Sequence, residues 1–480
     1  MKIENPILKK ILQIIGNPFY VKVYFVVMVF LSEIPIVMRY FNPLLRYGLV
    51  LSVVVILADL LTERRVLNWR LMWPLLFIIL SYAVTLLFHR NEFFTANVVD
   101  YFFMVALFLV MFPTRKGQEK ASILREMSVI NMIMVGLTTL AGLFSIYLFL
   151  VQYQSYYEFN NLIFPVGFVH NRLGGLYRNA IYPTNVLGIL AGVIQWSILN
   201  KENYKWAKLG KVLISIVIVV NLLQLSLANA RALILTLAGT ALIVVFFHLY
   251  RKMKNGTFKI RKIAVRGLSL LVIPILAATA IFAIIEFSRF VMPYVPVLAQ
   301  EQLGMTAENL TLGNIPIEQN DQQALGNETA VNIEREGIPE DMGLFTGRLP
   351  LWRDGIQAFL ANPILGYGAY TLGYWSPEGI QESWIHLHNV YLHALVAMGL
   401  LGALPLFFFL GRIMLKAGVY LFKKTKEKEY HVVLFTFALL VLLLVNNLSD
   451  TTILFFIKQS GFLFWIYLGY IYALTKEEEK

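Results

Sequence analysis

Runs of apolar residues, each about as long as a bilayer is thick, divide this chain and leave few folds open to it. They lie near residues 21–38, 44–61, 71–88, 96–112, 127–150, 183–199, 212–228, 232–249, 267–287, 390–411, 431–446 and 452–474. A helix needs ~20 residues to cross the hydrocarbon core, whereas a buried strand is complete in roughly 4–8. The pattern therefore predicts an all-α polytopic membrane protein with about 12 transmembrane helices. Composition agrees, since 58% of the 480 residues are apolar and 15% charged, against ~45–50% and ~25% in soluble domains. A water-soluble enzyme is excluded. The absence of cysteine excludes a disulfide frame, a thiolate metal site and a cysteine nucleophile. Lys9 and Lys10 precede the first apolar run with no small-residue cleavage site behind it, which reads as a retained first helix.

The net charge of +12 raises the question of a nucleic-acid partner. The distribution answers it. Basic clusters at Arg64 to Arg70, Arg115 to Arg125, Lys201 to Lys211, Arg251 to Arg266 and Arg412 to Lys428 fall in every second connection, as cytoplasmic loops do. With both termini inside, 30 of the 41 cations are cytoplasmic, 10 are outside and Lys458 lies within a span. The charge thus describes orientation and implies no nucleic acid.

Three sections follow: residues 1–287, with nine spans and an outer loop at 152–182; an extracytoplasmic loop at 288–388; and residues 389–480, with three spans and a cytoplasmic end. The large loop is too long for a bare connector. Its first half is polar and acidic between 301 and 341. Its second half, from Gly347 through Leu360, has apolar residues at helical spacing, which predicts a short helix at the membrane surface, stopped by Asn362-Pro363.

Outward arginines run against the positive-inside bias, so each needs a reason. Arg39, Arg46, Arg90 and Arg289 flank spans and can reach headgroups. Arg231 sits in a very short connection with no acid nearby in sequence, and reads either as an interfacial anchor or as a ligand for an anion. Three of the seven histidines, His386, His388 and His393, cluster at the mouth of the tenth span. Their spacing lacks the further ligands of a zinc site. A histidine here is either hydrogen-bonded at the interface or a general base. Lys458, with Asp450 the conspicuous charges near the last span, has Gln459 and Ser460 beside it and reads as bonding to neighbouring helices.

An ordered set of motifs also carries a resemblance. Gly347-Arg348 with Trp352, then Asn362-Pro363-Ile-Leu-Gly366-Tyr-Gly368, His388-Asn389-x-Tyr391-Leu392 and Gly399-Leu-x-Gly402 resemble the signature of the O-antigen ligase and Wzy-type polymerase superfamily. Upstream, Arg172-Leu-Gly-Gly175 through Arg178-Asn179, with Pro183-Thr-Asn185, is similar to the family's Arg-x-x-Gly and Pro-Asn elements, and Ser226 to Arg231 resembles its Ser-Arg element. The resemblance covers residues 165 to 475 and the twelve-span plan.

The resemblance implies a bacterial cytoplasmic-membrane enzyme that moves a glycan from undecaprenyl diphosphate to an acceptor sugar hydroxyl at the outer face. Arg231 and Arg348 would hold the diphosphate, His388 would accept the hydroxyl proton, and Arg172, Arg178, Trp352, Asn389 and Tyr391 would contact substrate. For Arg172 and Arg178 a purely structural role in the loop stays equally open. The implied partners are the lipid-linked donor, the glycan acceptor, the bilayer and other polysaccharide assembly proteins, with no cofactor and no metal. Polymerase is the first reading, because the long outer loop and additional outer arginines suit two lipid-linked substrates; ligase is the alternative. A transporter is a lower alternative, since a major-facilitator plan predicts two similar six-span halves and here the halves differ. The cation asymmetry generates a test of orientation. Cysteines placed at Gln322 and at Thr425 should be labelled by an impermeant maleimide in intact cells only at the former, and labelling at the latter instead would invert the topology.

Overall fold

The computed structural model describes residues 15–61, 69–90, 93–115, 117–159, 162–169, 171–177, 184–201, 207–228, 230–256, 263–305, 312, 315–316, 331, 348–370 and 386–476. Arg178 and most of the acidic stretch between 301 and 341 lie outside these residues, as does Gln322. Each apolar segment of the sequence contains a helix: α1 (Pro18–Ser32), α2 (Pro35–Leu61), α3 (Trp69–Phe88), α4 (Phe94–Ala106, continued by a π-turn at Leu107–Met111), α5 (Lys120–Leu150), α6 (Thr184–Lys201), α7 (Ala207–Leu227), α8 (Arg231–Lys254) and α9 (Ile263–Val291). After the short α10 (Val295–Leu303) and α11 (Arg348–Ala361) come α12 (Val390–Lys423), α13 (Tyr430–Asn446) and α14 (Gln459–Thr475). Among the described residues seven helices are long and apolar enough to cross a membrane, and shorter apolar helices accompany them. This is an all-α polytopic membrane protein.

The last helix lies at the centre. Trp465, Tyr467 and Tyr470 of α14 are completely buried, and the helix packs against α1, α5, α12, α13 and the π-turn. Its sequence is apolar around its whole circumference, as burial on every side demands. At the other extreme α9 exposes Leu268, Leu271, Leu276, Phe282 and Phe287, side chains that face hydrocarbon in a bilayer.

Three features depart from the sequence reading. The first and second helices meet at Glu33-Ile34, earlier than the expected boundary at 38–44. The loop expected at 152–182 contains strands. It forms β1 (Gln154–Phe159), β2 (Leu162–Val169) and β3 (Arg172–Gly175), joined by β4 (Ile315–Pro316) in the order β3-β2-β1-β4. Phe168 and Leu173 pack with Phe149 and Leu227 at the C-terminal ends of α5 and α7, so the sheet is seated on the bundle. Finally, the segment expected to cross from 452 begins its helix only at Gln459. Residues 447–458 are non-helical, because Asn447 and Asp100 supply what a helix would have. Asn447 Oδ1 accepts from the Thr452 and Ile453 N–H groups at 2.7 and 3.3 Å, and Asp100 Oδ1 accepts from Phe456 N–H at 2.9 Å.

α12 is also interrupted. Gly399 has φ +59 inside it, with ψ −171, which strands carbonyls on one side of the break and N–H groups on the other. The loop after α11 fills the gap. Tyr367 and Gly368 N–H donate to the carbonyls of Val396 and Ala397, both at 2.9 Å, while Leu400 and Leu401 N–H donate to Pro363 and Ile364 at 2.7 and 3.2 Å. Gly366, at φ +71, passes so close that a Cβ there would lie 2.5 Å from the Val396 carbonyl oxygen. The Asn-Pro-x-x-Gly-Tyr-Gly and Gly-x-x-Gly elements are thus two halves of one backbone interlock. Gly366→Ala should lower stability by about 2 kcal/mol or more, through strained φ and contact with backbone that cannot retreat. Thermal unfolding of the purified protein in detergent measures this, and an unshifted curve would dispose of the interlock. Thr425 is buried and hydrogen-bonded to Asn255, so the exposed Lys426 is the better inner position for the labelling test.

Candidate active site

The N-terminal end of α12 is built from four short pieces of chain. Asn389 is the N-cap of α12, its side-chain oxygen accepting from Tyr391 and Leu392 N–H, each at 3.1 Å. This is how an asparagine satisfies helix donors that have no carbonyl behind them. Val390 N–H donates to the Asn447 carbonyl at 3.0 Å, which ties this end of α12 to the end of α13. Tyr391 donates its hydroxyl to the Leu444 carbonyl at 2.8 Å, and the Trp352 indole donates to Leu387 at 2.9 Å. Ala358, Leu387 and Val396 close a small core between α11 and α12.

His388 is held between these anchors with φ +46, a left-handed conformation that non-glycine residues seldom adopt. Burial is the largest influence on its proton affinity and lowers it; Arg348 and Lys458 act in the same direction, and Asp450 acts against them. The imidazole is therefore held below the ordinary value of about 6.5 and is neutral, with a lone pair to accept a proton. Arg348 opens α11. Burial opposes its charge and Asp450 supports it. One carboxylate thus acts on both the guanidinium and the imidazole. His386 turns its ring edge against Phe456, centroids 3.8 Å apart, and lies 6.1 Å from the His388 ring.

Of the residues chosen from sequence, Arg348, Trp352, His388, Asn389 and Tyr391 gather here. The hydrogen bonds described for Trp352, Asn389 and Tyr391 go to groups of the protein beside His388. A second group lies at the turn between α7 and α8. Arg172 Nε donates to the Ala228 carbonyl at 3.0 Å, and Arg231 begins α8; the Arg231 side chain is outside the described residues. Asp450 was not selected from sequence as a site residue. Its signal was there, an acid in Asn447-Leu-Ser-Asp450-Thr-Thr between two apolar runs. What sequence could not give was the turn that brings it back over α12.

Comparison with known proteins bears on this arrangement. Residues 216–407 match the family model described as O-antigen ligase. That stretch runs from α7 into α12 and includes Arg231, Arg348, both halves of the glycine interlock and His388. The stretch is similar to O-antigen ligase domains. The resemblance read from the motifs is upheld over these residues, and the apolar helices support a multi-pass membrane protein. Arg172 precedes the matched residues, and Asp450 and Lys458 follow them. No curated protein matches the chain.

The charge environment of His388 makes a direct prediction. In the protein with isotope-labelled histidine, the His388 resonance, assigned from a His388→Asn sample, should titrate below pH 6.5. Asp450→Asn removes the one charge that favours protonation and should move the midpoint further down. Arg348→Gln should move it up. A midpoint that neither substitution shifts would separate these groups.

Proposed function

We propose that this protein is a membrane glycosyltransferase that moves a glycan from undecaprenyl diphosphate to an acceptor sugar hydroxyl at the outer face of the bacterial cytoplasmic membrane. In this reading all twelve apolar helices span, both termini are cytoplasmic, and the preferred reaction is polymerisation. What supports it is that Arg348 and His388, both under the electrostatic influence of Asp450, fall within the stretch that matches the O-antigen ligase family model, with His388 just before the N-cap of α12.

The chemistry follows from the groups. His388 accepts the proton of the acceptor hydroxyl as its oxygen bonds to the anomeric carbon. The bond from that carbon to the diphosphate oxygen breaks, and its electron pair leaves with the diphosphate. Arg348 and Arg231 stabilise that growing charge through forked, charge-assisted hydrogen bonds. Attack from the side opposite the leaving group inverts the anomeric centre. The donor bond is already activated, so the step as proposed uses no nucleotide and no metal. Asp450 holds Arg348 and steadies His388 while it carries the proton.

Ligation is the second reading, favoured by the description of the matching family. There the finished polymer would be moved to a lipid or teichoic-type anchor. A deletion strain separates the two, since loss of a polymerase leaves single lipid-linked repeat units and loss of a ligase leaves full-length unattached polymer. In either case His388→Ala should keep donor binding and lose ~10²- to 10⁴-fold in rate, His386→Ala should be clearly milder, and purified enzyme should work in excess EDTA. A fully active His388→Ala protein, or activity abolished by chelation and restored by zinc, would overturn the assignment.

A further inference from the structure

Between the end of α11 and the loop that bridges Gly399 stands a single residue, Asn362, and it closes the turn there in three ways. Its N–H donates to the Ala358 and Phe359 carbonyls at 3.3 and 3.2 Å, its carbonyl accepts from Gly366 N–H at 3.2 Å, and its side-chain Nδ2 donates to the Gly366 carbonyl at 2.8 Å. The same Nδ2 meets His89 Nε2 at 2.9 Å, and the His89 and Tyr367 rings lie 5.2 Å apart, centroid to centroid. His89 directly follows α3, so a residue from far upstream, outside the matched residues 216–407, grips the turn.

The bonding pattern fixes the chemistry of that grip. An amide nitrogen has two protons and accepts nothing. One proton goes to the Gly366 carbonyl, so the other goes to His89, and Nε2 is the bare nitrogen that accepts it. The neutral ring then carries its own proton on Nδ1. Protonation of the ring would set donor against donor and break the contact. Among the described residues, the charged and titratable neighbours are Arg90, which follows in the chain and lies over the Phe94 ring, and Tyr367 from the loop. Burial is what bears on the proton affinity of His89, and it lowers it. The ring therefore accepts at neutral pH and loses that capacity as the pH falls below about 6.5.

α11 is fastened to α12 along its middle, where Ala358 packs with Leu387 and Val396 and the Trp352 indole bonds to the Leu387 carbonyl. A helix held at its middle can still rock. Its 14 residues span about 21 Å, so rocking by ~10° carries each end by about 2 Å, enough to spoil forked hydrogen bonds made from Arg348 at its head. What stops the far end from moving therefore also stops the head. We propose that His89 is a positioning residue of the transfer site: by accepting from Asn362 it locks the C-terminal end of α11 and so sets the place of Arg348. The inference rests on the transferase reading above for what Arg348 holds, and the lock itself rests on the hydrogen bonds of Asn362.

The absence of cysteine in the chain allows nitroxide labels on introduced cysteines at Gln357, exposed on α11, and at Leu448, exposed just beyond α13. In full-length protein in nanodiscs at about pH 7.5, pulsed EPR should give one narrow distance with His89, a shifted or broadened one with His89→Ala, and the original one with His89→Gln, whose amide oxygen accepts from Asn362 in place of Nε2. At about pH 5 the distribution should broaden in the protein with His89 and stay narrow in His89→Gln, a difference that packing alone does not produce and that needs no disruptive substitution. Binding of undecaprenyl diphosphate, used as the probe in unlabelled protein, should weaken roughly fivefold in His89→Ala and recover in His89→Gln. Equal distances in all three proteins, no recovery with His89→Gln, the same acid response with and without the imidazole, or a moved helix with unchanged binding overturns the proposal. Arg348→Gln separates the two levels of argument. If it weakens binding while His89→Ala does not, only the inference about His89 falls; if it binds the diphosphate as tightly as the unsubstituted protein, the role of Arg348 in the transferase reading falls.

Discussion

A bilayer offers no water to a broken helix, so each interruption of a spanning helix has to be met by hydrogen bonds from elsewhere in the chain. This protein interrupts its helices at two places beside its candidate site, and the site exists because of how those interruptions are met. At Gly399 the ladder of α12 is bridged by the loop after α11, through two N–H donors and two carbonyl acceptors. Between α13 and α14 a stretch of bare backbone is met by Asn447 and Asp100. The first bridge brings α11, with Arg348 at its head, against α12. The second fixes the path of the non-helical segment that carries Asp450. With regular helices throughout, the charged groups would stand apart on separate segments.

The electrostatic outcome is a histidine kept neutral in partly buried surroundings with cations near it. Burial alone would lower its proton affinity; the cations add to this and Asp450 limits it. The same carboxylate supports the Arg348 charge against burial. Removing it would alter the base and the anion-binding group together, so its effects on the two would not be additive. Asn447 is linked to both sides as well, since its carbonyl receives Val390 N–H, next to the cap that follows His388, and its side chain organises the segment bearing Asp450.

Much of this was legible in the sequence and some was not. The apolar runs gave a helix at each segment because a period and a length suffice for that. Asn362-Pro363 ended α11 as expected, and His388 was chosen over His386 from the residues that follow it. The glycine motifs were visible as motifs, but their purpose was hidden, because a left-handed φ at Gly399 matters only once the loop at 363–368 is laid against it. The sheet went unseen for a similar reason. Its fourth strand comes from a distant loop, and its inner face is set by packing on α5 and α7 rather than by strict alternation. Lys458 was read as a helix contact from Gln459 and Ser460 beside it, and its place as the N-cap residue of α14 was hidden because the apolar run shows no break before it.

The interlock at Gly399 also bears on how the protein is made. The loop that bridges it is held by earlier parts of the chain: Thr85 donates its hydroxyl to the Leu365 carbonyl, the Tyr82 hydroxyl accepts from Ala369 N–H, and Asn97 accepts from Tyr370 N–H. All of these groups belong to α3 and α4, which leave the ribosome long before α12. During synthesis from the N-terminus the loop thus has its seat ready, and the donors and acceptors that α12 lacks are waiting when its flawed turn enters the membrane. The order of dependence in the structure is the order of translation, so a helix that could not be inserted comfortably by itself never has to be.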